Sequence, residues 1–540
     1  MTKISNKLIH AILNHPKIIL SILVTITLIL GTYLSKVKID FSIEQLFSQN
    51  DPVISRFLNF REEFESVDNR IFLLYESNDP FSYKNLVANQ KMVYAFENIQ
   101  GVSKVTSLTN IELFTDGGEY LLSPVFDYIP QSLDSLKFAK NRILSSELLK
   151  NYLISEDGKV AAILVEISEE YNTHVSREVI VEQIDKLQLR TDWTWHQTGL
   201  PIIRTRYVQY MISDNITFLL PVLLMLIFLL TILFRSLVGL LLPLLVVLLT
   251  IIWTLGFMSA VGITINIISY IIPTLLMVVG ISDSVHFLIK YYNTLKEIGD
   301  KKKALSETLQ KIGTAIFLTS ITTAIGFGAL SMVKIDIVKE FGIFTAMGVF
   351  FAFIITILLI PSVLMLLDKT PQKKLDAYAS GFRVKIIKFF IKIVRDYPQK
   401  IIITGILIAI IGLFGALQIN PHSKLLDDLR PGNPLLEDMR IAENRMGSVL
   451  PVEIIINIEE DGKFEDIQDV AVISFSDQLS KYISNIPEIG KVVSISDYLK
   501  EINKAMNEGN NAFYKVPLTR DIISQYMLLY DSEFSSLINA

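Results

Sequence analysis

Seven apolar stretches decide what this chain can become. A bilayer crossing takes about 20 apolar residues. Segments near 17–35, 215–234, 237–261, 265–292, 313–333, 339–367 and 400–418 qualify. In lipid the backbone must satisfy its own polar groups, so each is read as a helix. The mean hydropathy is +0.43, and 51% of the 540 residues are hydrophobic. The charged 19% lies between the clusters, as in a polytopic membrane protein with folded polar portions. A net charge of −5 points to no nucleic-acid partner. Cysteine is absent, which excludes a disulfide framework and a thiolate metal site.

Orientation follows from the basic loops. Lys296, Lys301, Lys302, Lys303 and Lys311 crowd one. Another, within 368–398, carries Lys369, Lys373, Lys374, Arg383, Lys385, Lys388, Lys392 and Arg395. The positive-inside rule puts both in the cytoplasm, with Arg235 in agreement. The expected order is a cytoplasmic amphipathic N-terminus (1–16), one span (17–35) and an extracytoplasmic domain (36–214). Five close spans (215–367), a basic cytoplasmic linker (368–399), a seventh span (400–418) and a second extracytoplasmic segment (419–540) complete it. The first span follows lysines but precedes TYLSKVKID, with no small-residue cleavage site, so it reads as an uncleaved anchor.

The late segments repeat the early ones. HPKIILSILVTITLIL (15–30) parallels YPQKIIITGILIAIIG (397–412), and DNRIFLLYES (68–77) parallels LPVEIIINIE (450–459). Between them, 37–66 parallels 417–446 at a nearly constant offset. Parallel duplicated halves are a known transporter plan. The second copy stops inside its outer domain, so the chain is expected to be a fragment or a half-length variant. A seven-span protein with an outer cap is the alternative.

Within 36–214, strand-like runs (70–77, 101–108, 159–167, 193–199) alternate with helix-like ones (83–98, 131–149, 173–188). Two β-α-β units in series predict a small α+β sandwich with helices on one face. Residues 452–459, 465–484 and 490–496 are expected to repeat one unit. The basic amphipathic runs 4–14 and 382–395 are expected to lie on the inner membrane surface, lysines against anionic head groups.

Asp283 stands out inside INIISYIIPTLLMVVGISDSVHFLIKYY. Burying a carboxylate near a helix centre costs roughly 2.5–3.5 kcal/mol on insertion scales, and ion coupling is the usual reason to keep one. Counted back from Lys290, it lies about 10 Å inside the inner interface. His286 and Lys290 share its helix face. Burial disfavours the charge and a neighbouring cation favours it, a competition suited to loading and releasing a proton. Gly280, one turn earlier, admits a close neighbour. The next span offers Thr319, Ser320, Thr322 and Thr323; Thr319 and Thr323 are the expected hydrogen-bond partners of Asp283.

The one-domain-five order and VVGISDSVHFLIKYYN resemble the RND superfamily, specifically its MMPL-type, predicted-exporter branch with sterol-sensing-domain-like spans two to six. FRSLVGLLLPLLVVLLTIIWTLGFMSAVGITINIISYIIP (234–273), TSITTAIGFGALSMV (319–333) and PLTRDIISQYMLLY (517–530) resemble it too. The chain looks like the N-terminal two thirds of that pattern. The resemblance implies twelve spans, two ferredoxin-like porter domains, and proton-motive-force-driven export from an inner membrane. Asp283 matches the fourth-span acid of the family. Ser282 stands where many efflux members carry a second acid, and a tenth-span partner lies beyond this chain.

No GxxxxGK[ST], HExxH or GxSxG motif occurs, so ATP use, zinc hydrolysis and a serine nucleophile have no support and no enzyme is expected. No cofactor is expected; the coupling ion is a proton, with sodium as the alternative. Expected partners are membrane lipids and a hydrophobic or lipid-like substrate, with a homo-oligomer or a periplasmic partner left open. The leading expectation is a proton-driven exporter of hydrophobic or amphiphilic molecules, plausible substrates being lipids. A lipid sensor without pumping and an accessory of protein export are the rivals.

Overall fold

The structure, a computed structural model, describes residues 2–40, 67–114, 122–367, 382–419, 429–447 and 466–529. Residues 52, 55, 56, 59, 452–456 and 458 are also described. Most of the 37–66 stretch and residues 368–381 of the basic linker lie outside these. In chain order the elements begin with α1 (Thr2–Asn14), α2 (Pro16–Leu34), β1 (Arg70–Glu76) and α3 (Tyr83–Glu97). Next come β2 (Val102–Thr106), β3 (Glu112–Phe114), β4 (Leu122–Pro124), α4 (Leu133–Leu144), β5 (Val160–Ile167), α5 (His174–Gln188) and β6 (Thr194–Thr198). The long helices follow: α6 (Leu200–Phe234), α7 (Leu237–Ala260), α8 (Ile272–Ile298), α9 (Lys301–Gly328) and α10 (Asp336–Leu366). The last are α11 (Phe382–Asp396), α12 (Pro398–Ala416), α13 (Pro434–Met446), α14 (Val470–Ile483), α15 (Ile495–Ala505) and α16 (Arg520–Leu529). The chain forms two compact units, residues 1–51 with 210–423 and residues 52–209 with 424–540.

Among the described residues, seven helices are long and apolar enough to cross a membrane, and all but the first ten residues of one lie in the first unit. Several outrun their apolar stretch, because polar ends remain helical while hydropathy marks only the lipid-soluble part. The turn between α8 and α9 shows how the sequence stops one helix and starts another. Gly299 adopts φ +74° and its N–H bonds the Leu295 carbonyl, closing α8. Asp300 then caps α9 by accepting from the Lys303 N–H. Lys301 donates to the Met365 and Leu367 carbonyls, tying the start of α9 to the end of α10.

The bundle core joins Leu242, Val246 and Val247 of α7, Phe287, Leu288 and Tyr291 of α8, and Ile355 and Ile360 of α10. The amphipathic helix α1 buries Ile9, Ile12 and Leu13 in this core, and Asn14 accepts from Lys302, so its apolar stripe packs on protein side chains. In α11, Phe389, Phe390, Ile391 and Val394 are exposed.

The second unit is built on a four-stranded antiparallel sheet of order β2-β5-β1-β6. With α3 after β1 and α5 after β5, this is the split β-α-β order of ferredoxin-like folds. Alternation sorts the side chains of β1. Ile71, Leu73 and Tyr75 share the face where the Asn89 amide of α3 donates to the Tyr75 hydroxyl, 3.1 Å. Leu74 shares the opposite face with His196, its partner on β6. There the His196 Nδ1 pairs with Asp438 of α13 at 2.8 Å, and the Gln197 N–H donates to the same carboxylate at 3.2 Å.

The late segment departs from its expected repeat. Residues 452–456 and 490–494 form no strand. A strand exists only by pairing, and none of the described strands lies alongside them. Helices α14, α15 and α16 instead share a small core of Ile473, Leu499, Ile502, Ile523 and Met527.

Candidate functional site

Asp283 lies on α8 and is 7% exposed. At about 100° per residue, the buried arc of α8 centres near Gly280 and Phe287, and Asp283 sits toward its edge. Gly280 lets α7 come close, since a Cβ there would lie 3.3 Å from a Val247 methyl. The Ser284 hydroxyl back-bonds to the Gly280 carbonyl at 2.7 Å. From α9 the buried Ser320 hydroxyl donates to Asp283 Oδ2 at 3.4 Å, a long bond and therefore a weak one.

The other expected site residues fall elsewhere. His286 and Ser282 are exposed. His286 lies about 60° further round the helix than Asp283, beyond the buried arc. Thr319 is exposed and bonds carbonyls of its own helix, Ala315 at 3.2 Å and Ile316 at 2.9 Å. Thr323 is half-buried. Ser320 alone of this group is seen bonded to the carboxylate, because one residue along a helix turns a side chain by about 100°. The hydroxyl pattern marks the helix but not the residue; only the position of α8 selects it.

The electrostatics are simple. Helix α7 carries no ionisable side chain, α9 none from 312 to 328 and α10 none from 341 to 366. Asp283 therefore has no countercharge from these neighbours. A second acid escaped sequence reasoning: Glu340, at the start of α10, accepts from the Asn266 amide at 3.3 Å. The signal was an acidic residue opening an apolar run. This bond ties together the N-terminal ends of α8 and α10, which thus run parallel. Among the described residues, no group of three His, Asp or Glu is placed to hold a metal ion.

A tight helical bundle around one desolvated carboxylate, with several further spans, defines a multi-pass membrane protein. Residues 60–399 match the MMPL family, and the chain belongs to it. The Methanocaldococcus jannaschii protein MJ1562, whose name refers to a membrane and to no activity, is 21% identical over 384 residues. That match covers 68% of this chain and 95% of the relative. The Hopanoid transporter HpnN of Rhodopseudomonas palustris is 24% identical over 210 residues, 37% of this chain and 24% of that protein. Protein patched homolog 1 of Danio rerio is 28% identical over 124 residues, 23% of this chain and 10% of that protein.

Proposed function

We propose that this protein exports hydrophobic or amphiphilic molecules, lipids foremost, by coupling their movement to proton entry through Asp283. The observation that carries this reading is the buried carboxylate without a countercharge from the adjoining helices, bonded only weakly by Ser320. Retaining such a group in a span is costly unless it is used. Protonation of Asp283 removes its charge, relaxes the contact with Ser320 and lets α8 and α9 repack; ionisation reverses this. The repacking moves the sheet-containing unit, which takes substrate from the outer leaflet or passes it on. The reading places the basic ends of α8 to α10 in the cytoplasm of an inner membrane and the sheet-containing unit outside. It needs no enzymatic step, and its only cofactor is the coupling ion. A relative named as a hopanoid transporter supports a polycyclic lipid as the first substrate to try.

The test uses membrane vesicles holding the full chain and an imposed pH gradient. Addition of a hopanoid should dissipate the gradient, and Asp283→Asn should abolish that response while the protein still folds. An unchanged response in Asp283→Asn overturns the coupling role. The sterol-sensing-domain-like resemblance of spans two to six supports a second reading, lipid sensing without pumping. That reading expects retained lipid binding and no proton movement in the unaltered protein.

A further inference from the structure

Several buried hydroxyls in the bundle bond carbonyls of their own helix. Thr250 bonds Val246 at 2.8 Å, Thr254 bonds Thr250 at 2.8 Å and Thr308 bonds Ala304 at 2.7 Å. Four others are fully buried and have no hydrogen-bond partner among the described residues: Thr294 of α8, and Thr345, Thr356 and Ser362 of α10. An unmatched hydroxyl in an apolar core is costly, and water is the usual remedy where several polar groups converge.

Their positions are set by the packing of α8 on α10. A Cβ at Gly348 of α10 would lie 2.7 Å from the Leu276 methyls of α8, so these residues mark one depth. Both helices run the same way. Asp283 is seven residues beyond Leu276 and Thr356 eight beyond Gly348, so each lies about 11 Å deeper. Gly348 faces α8, and Gly342 faces Phe327 of α9. By helix geometry Thr356 projects between those two directions, toward the sides of α8 and α9 that carry Asp283 and Ser320. Ser362 lies near the depth of Lys290, about 40° from the Gly348 direction on the side away from Thr356. Thr294 is five turns past Leu276 on the same face, about one turn deeper than Ser362. Pro361 adds another acceptor, since it has no N–H to donate to the Ile357 carbonyl.

The opposite direction is different. Ile272, Leu276, Phe344, Val349 and Met258 close into an apolar cluster, with one unpartnered hydroxyl, Thr345, on that side. We propose that Thr356, Ser362 and Thr294 line a water-filled proton path from Asp283 to the basic end of the bundle. This rests on the coupling role of Asp283 and specifies the side from which its proton exchanges in this conformation. Each oxygen along the path accepts one proton and releases another, so no hydroxyl is consumed. Ionisable groups along this stretch are the exposed His286, the half-buried Lys290 and the buried Tyr291 and Tyr292 of α8, and Lys301 of α9, which bonds the Met365 and Leu367 carbonyls.

The test is the hydrogen–deuterium exchange of the protonated Asp283 carboxyl, followed by infrared spectroscopy on the full chain in liposomes. The band is assigned by its loss in Asp283→Asn. Thr356→Val and Ser362→Ala should each slow exchange by about tenfold, the rate equivalent of losing one hydrogen bond of about 1.4 kcal/mol. Thr356→Ser should restore the rate, and Thr250→Val, which removes a back-bonded hydroxyl, should leave it unchanged. Equal exchange rates in Thr356→Val, Ser362→Ala and the unaltered protein overturn the path while leaving the role of Asp283 intact. Absence of any protonated Asp283 band across the accessible pH range overturns the coupling role itself, and the path with it.

Discussion

The helix pair α1–α2 and the pair α11–α12 share a local design and differ in their surroundings. In each, a basic amphipathic helix leads into a 19-residue apolar one with proline in its first turn. The preceding residues even share a backbone conformation, φ −125° and ψ 49° at His15 against φ −133° and ψ 46° at Tyr397. Yet α2 packs against α7 and α10, whereas no residue of α12 is buried. The Trp253 indole of α7 donates to the Thr27 hydroxyl at 2.8 Å, and Ser259 donates to the Tyr33 carbonyl at 2.8 Å. Gly256 of α7 lies directly against the backbone of Leu30. Nothing lies within 4 Å of a Cβ placed at Gly405, Gly412 or Gly415 of α12. One set of local rules makes both helices, but those rules do not decide what covers them. Lipid tails are as apolar as leucine, so packing and hydrogen bonds, not hydrophobicity, hold α2 in place.

The largest test of this contrast is Gly256→Leu. Its side chain would meet the Leu30 carbonyl, and we expect a loss of about 3 kcal/mol, read as thermal unfolding in detergent. Gly405→Leu on the exposed helix should leave the melting temperature nearly unchanged; an equal loss would mean that α12 is as closely packed as α2. A smaller effect comes from Thr27→Val, which leaves the Trp253 N–H without its acceptor. It should cost about 1 kcal/mol, whereas Ala409→Thr, at the equivalent position of α12, should change little. Smallest is Gly412→Ala, expected to stabilise by up to about 1 kcal/mol through helix propensity alone. Destabilisation there would reveal a neighbour against α12.

Much of the second unit was legible from alternation. Runs such as RIFLLYES and KVAAILVEI identify themselves as strands because one face or both must be apolar. The late apolar run beginning at Val452 carries a similar pattern and forms no strand, since pairing depends on a neighbour and not on composition. At the candidate site, an acid within an apolar helix was visible in one dimension. Its bonding partner was not, because Thr319, Ser320 and Thr323 are chemically alike and differ in azimuth. Glu340 and the unpartnered hydroxyls of α10 were missed for the same reason.

The amino-acid order alone determined how many long helices this protein has, where they lie and which one carries the acid. Those properties depend on runs of apolar residues and on backbone bonds closed within a helix. Tertiary structure alone decided that Ser320 meets Asp283, that His286 turns away, that α1 joins the core and that three hydroxyls of α10 are buried without a hydrogen-bond partner among the described residues. Each of these requires two distant segments to come within a few ångströms, and no local pattern encodes that distance.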